Sequence, residues 1–124
     1  MVDADVNGPA ADFGVSLRTD GKVMAGVGTP DVTIVSTAGG SNNGNWHHVV
    51  FTRTKASGAM TLYVDGTAAG TATGSTASLT SQATISFGRA ATAITYFPGT
   101  MDEVALYNIA LSQADVTAHY NAGH

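Results

Sequence analysis

Asp102 and Glu103 are adjacent acids after a Gly99-Thr100-Met101 turn, where carboxylates could hold a cation or move a proton. Glycoside hydrolysis usually needs two carboxylates about 5–9.5 Å apart, facing one substrate. Glu103 is the only Glu in the chain, and on a strand it points away from the face that carries Asp102. The other Asp residues fall mostly in turns: Asp20-Gly21, Asp65-Gly66 and Pro30-Asp31. The pattern therefore argues against catalysis.

His47 and His48 resemble a metal or acid/base pair, but adjacent strand residues face opposite ways and do not share one ligand. His48 reads as a hydrogen-bonded core residue and His47 as partly exposed. His119 falls in a helical stretch and His124 in the tail. The glycines follow no strand-to-helix pattern, so a phosphate-binding loop is excluded. A sugar site is the sharper idea. Sugars stack on exposed aromatics while Asn, Asp and Arg bond their hydroxyls. Tyr96 and Arg89 share one loop, and Asn42, Asn43 and Asn45 share another.

Those loops need strands to hold them. Phe13–Leu17, Val23–Val27 and Val32–Ser36 alternate or carry β-branched residues, with Thr19-Asp20-Gly21-Lys22 as the first turn. Trp46–Arg53 is apolar on both faces, which predicts a central strand. Met60–Val64 returns from it, with Met60, Leu62 and Val64 facing the core, and Asp65-Gly66 turns the chain again. Thr67–Ser81 is rich in Thr, Ala, Gly and Ser and contains a strand at Ala68–Ala72. Thr84–Gly88 and Met101–Tyr107 complete the strands, the last with Met101 out of phase, as at a bulge. Ser112 can cap a closing helix with Asp115 at its third position, Leu111 stapling to Val116 and Asn121-Ala122-Gly123 as the stop.

Seven to nine short strands in 124 residues predict one all-β, antiparallel two-sheet domain. The chain is only 11% charged, with net charge −4. Five Lys and Arg are too few to meet nucleic-acid phosphates. No apolar run approaches the roughly 20 residues of a membrane span. The acidic start Met1-Val2-Asp3-Ala4-Asp5 has no signal-peptide pattern, and the absence of cysteine leaves the compartment open.

The ordered series Asn45-Trp46-His47-His48-Val49-Val50-Phe51-Thr52-Arg53, Leu62-Tyr63-Val64-Asp65-Gly66, Ile85-Ser86-Phe87-Gly88 and Phe97 to Asn108, then Leu111 to Val116, resembles the laminin-G-like (concanavalin-A-like lectin/glucanase) jelly-roll family. The resemblance implies a β-sandwich with one short C-terminal helix. It implies a non-catalytic, extracellular or surface- or virion-associated module, with carbohydrate as the expected ligand; the alternative is a structural or protein-contact module. The glucanase cluster of two Glu flanking an Asp is missing. Trp46 corresponds to a buried family Trp. Asp102 corresponds to a Ca2+ ligand of calcium-binding relatives, though calcium takes six to eight oxygens. Tyr96, Arg89, Asn43 and Asn45 are the expected ligand contacts. The family's N-terminal strands are not evident before Phe13, and an incomplete sandwich would offer an open sheet edge for self-association.

Overall fold

The computed structural model describes residues 1–4, 11–79, 84–90 and 95–123. His124, and residues 91–94 within the expected Arg89–Tyr96 loop, lie outside the described residues. The elements are β1 (Val2–Asp3), β2 (Phe13–Leu17), β3 (Val23–Val27), β4 (Val32–Val35), β5 (Val49–Arg53), β6 (Ala59–Val64), β7 (Thr67–Thr73), β8 (Ser86–Phe87) and α1 (Gln113–Ala122). They form a five-stranded sheet in the order β4-β3-β2-β1-β8 and a three-stranded sheet in the order β5-β6-β7. Every pairing is antiparallel, as the predicted sandwich requires.

Strand alternation builds the core. Val23, Ala25 and Val27 turn one way from β3, and their partners Leu17, Val15 and Phe13 turn the same way from β2. Met60 and Leu62 answer from β6, and Ile34 from β4. Leu62 and Val23 are completely buried. The sheets meet where Thr37 N–H donates to the Ala69 carbonyl at 3.0 Å.

The β6–β7 hairpin turns on two residues, with Val64 paired to Thr67. Asp65 (φ 52°) and Gly66 (φ 74°) both adopt positive φ, as a type I′ turn demands. Helix α1 docks on this turn. Gln113 Nε2 and Thr117 Oγ1 donate to the Gly66 carbonyl at 2.7 and 3.2 Å, and the fully buried Val116 lies on the same helix. A Cβ on Gly66 would lie 3.0 Å from the Tyr120 ring, so only glycine allows that approach. The expected cap is present: Ser112 Oγ accepts from Asp115 N–H, and Asp115 accepts from Ser112 N–H.

Three expectations are corrected. β1 is a strand that the sequence did not signal, and it lies inside the five-stranded sheet between β2 and β8. β5 starts at Val49 and is an edge strand, paired only to β6 among the described residues, rather than a central one. Residues 101–107 form no strand. Glu103 takes a positive φ of 52°, which breaks the extended run two residues past Met101, where a bulge was expected.

Leu62→Ala should cost about 2–5 kcal/mol of stability by opening a cavity between the sheets; chemical denaturation measures this. Acid should act at α1. Hydrogen bonds from the Ser112 side chain, then its backbone, hold the Asp115 carboxyl below its ordinary range. A lowered folded value gives stability present above about pH 4 and lost as pH falls further. Helical circular dichroism should therefore drop in acid, and Ser112→Ala should shrink that acid-dependent loss.

Candidate functional site

The five-stranded sheet turns its second face outward. Gly14 and Ser16 of β2 and Met24 and Gly26 of β3 alternate away from the core. They line a groove of about 410 Å³ together with Arg89 and Tyr96. A strand rarely offers so flat a surface. Here, Gly14 stands opposite Gly26 on one side, which leaves that part of the floor free of side chains, and opposite Asp3 on the other. The space above Gly14 is narrow: a Cβ there would lie 3.4 Å from Asp3 Oδ1.

A hairpin forms one wall. Arg89 and Tyr96 are directly bridged, Ala90 N–H donates to the Thr95 carbonyl, and Phe97 N–H donates to the Gly88 carbonyl. Gly88 N–H in turn donates to the Met1 carbonyl at 2.7 Å, which ties the hairpin to the start of β1. Tyr96 is 66% exposed. Its phenol ring offers an apolar face and a hydroxyl beside a guanidinium, with Asp3, Asp12 and Asp31 also along the groove. An aromatic face, a floor opened by the facing Gly14 and Gly26, and mixed donors and acceptors form a surface suited to a sugar ring.

Asn43 and Asn45 are elsewhere. Asn43 lines a second groove of about 350 Å³ between the 36–43 loop and the β6–β7 turn. Its Oδ1 accepts from Asn45 N–H at 2.9 Å and lies 3.1 Å from His47 Nε2. Asn45 lines neither groove. The four expected contacts therefore divide: Arg89 and Tyr96 come together, while the two asparagines shape a loop.

The His pair separates as strand alternation requires. His47 Nδ1 contacts Asp65 Oδ2 at 2.8 Å, so both of its ring nitrogens are engaged within the protein. His48 directs its ring toward Tyr120, with centroids 6.1 Å apart, and its N–H donates to Asp65 Oδ1. This arrangement corrects the reading of Trp46. His47, Val49 and Phe51 take the inner face, so Trp46 is turned outward and is 62% exposed rather than buried. Sequence reasoning also treated Asp65 as turn geometry alone and missed its carboxylate as the partner of both histidine positions.

Asp102 is exposed, and its Oδ1 accepts from Glu103 N–H at 2.9 Å. Among the described residues no group of three His, Cys, Asp or Glu is placed to hold a metal ion. One exposed carboxylate is a poor fit to an ion that takes six to eight oxygens.

Asp65→Asn should weaken the loop anchor. The expected loss is about 1–2 kcal/mol, because the carboxylate accepts two hydrogen bonds and one is to an imidazole. Thermal denaturation and hydrogen exchange of the His48 amide measure it.

Residues 2–117 match the family model described as the concanavalin A-like lectin/glucanases superfamily. No curated protein matches the chain in sequence. A crystal structure of an S-layer domain-containing protein (residues 221–444) from Clostridium thermocellum is similar in fold, with a TM-score of 0.57 at 20% identity. The match covers 94% of this chain and 59% of that one, so this chain spans less than two thirds of that structure. The family match takes in both sheets, the groove hairpin and the first half of α1: this chain belongs to the concanavalin A-like lectin/glucanases superfamily.

Proposed function

We propose that the chain is a non-catalytic carbohydrate-binding module that uses the outer groove of its five-stranded sheet. The pairing of exposed Tyr96 with Arg89 above a glycine and serine floor carries this reading. The family is named for lectins and glucanases, which fits a sugar ligand. A single Glu in the whole chain supports binding over hydrolysis. The S-layer description of the structural neighbour supports an extracellular or surface setting. Among the described residues no helix is long and apolar enough to cross a membrane.

A glycan array followed by calorimetric titration tests the reading. Tyr96→Ala should weaken the best glycan roughly tenfold, about 1.4 kcal/mol. Arg89→Ala should weaken it as well, while Asn45→Ala should not. Undiminished binding by Tyr96→Ala would remove the groove as the site. The thin donor set at Asp102 favours a calcium-independent site, so a chelator should leave both binding and Tm unchanged. Chelator-sensitive binding would instead assign calcium a role at Asp102.

A further inference from the structure

The open edge of β5 and the segment that follows the groove hairpin are complementary. Hydrogen bonds at the ends of the β5–β6 ladder fix which backbone groups face inward. Asp65 N–H donates to the His48 carbonyl, and Thr54 N–H donates to the Ala59 carbonyl. Residues 48, 50, 52 and 54 therefore bond to β6, and Val49, Phe51 and Arg53 point their N–H and C=O groups outward. Among the described residues no strand takes them up. Such a row templates another strand.

Among the described residues no strand pairs with residues 104–109 either. Val104 is 43% exposed, Leu106 59% and Ile109 69%, an apolar run that water solvates poorly. The positive φ at Glu103 turns this run away from the preceding turn. Charge sets the direction of pairing. Exposed Lys55 stands just past the end of β5, while Arg53 turns inward to the Ala77 carbonyl; Asp102 and Glu103 stand at the start of the unpaired segment. An antiparallel approach brings the acids to Lys55 and places one apolar face of the segment beside Val50 and the exposed Trp46.

We infer that two copies of this chain associate by reciprocal strand addition, residues 104–107 of each pairing antiparallel with β5 of the other. Each chain carries both the edge and the segment, so a two-fold dimer satisfies both at once and closes. The sugar groove lies on the other sheet, so this inference stands independently of the proposed ligand.

Sedimentation of the full chain over a wide concentration range tests it. The wild type should sediment as a dimer that dissociates on dilution and with added salt. Val49→Pro removes one outward N–H and leaves the β6 bonds intact, a place where an edge strand tolerates proline. Leu106→Glu alters an exposed side chain only. Both should return a monomer with the wild-type circular dichroism spectrum. Where Val49→Pro lowers Tm, Leu106→Glu alone decides. A wild type that is monomeric throughout, or a dimer that a folded Val49→Pro or Leu106→Glu leaves intact, overturns the inference.

Discussion

The structure depends on what two residues do between β6 and β7. Asp65 and Gly66 adopt the two positive φ values that reverse the chain in the tightest hairpin. The same two residues then bind in both directions. The Asp65 carboxylate accepts from the His48 amide and contacts the His47 ring, which fixes the approach to β5. The Gly66 carbonyl accepts from Gln113 and Thr117, and its missing side chain admits Tyr120. A strand, a loop and a helix that are distant in sequence are thereby referred to one turn.

That turn also explains which faces are wet. With His47 drawn inward to Asp65, alternation sends Val49 and Phe51 to the core and Trp46 to solvent. The other sheet shows the same rule with a different outcome. Its inner face is Val and Ala, and its outer face is Gly, Ser and Met, so the core is filled while the groove stays shallow. Packing and a candidate binding surface thus come from alternate residues of the same two strands.

Features set by local chemistry were legible in the sequence. The Asp-Gly turns, the β2–β3 hairpin, the Met60-Leu62 core face and the Ser112–Asp115 cap each rest on neighbours within a few positions. Features set by distant partners were not. Val2–Asp3 is too short to show a period, and only pairing with β2 and β8 makes it a strand. The burial of Trp46 was misread because a run that is apolar on both sides does not say which face a distant carboxylate will claim. The site divided in the same way. Arg89 and Tyr96 were read together because one short loop holds both, and they do lie side by side, whereas the groove floor of Gly14, Ser16 and Gly26 carries no chemical signature until the strands align.

The docking of α1 also sets how the domain bears mechanical load. The helix is attached by Val116, by Tyr120 against Gly66 and by two side-chain hydrogen bonds to a single carbonyl. The sheets are laced by ladders along whole strands. Tension applied through the C-terminal end reaches the helix before the sheets and opens its few contacts one after another. The helix is therefore a yielding link: it can peel from the turn and absorb extension while the sandwich and its outer groove keep their shape.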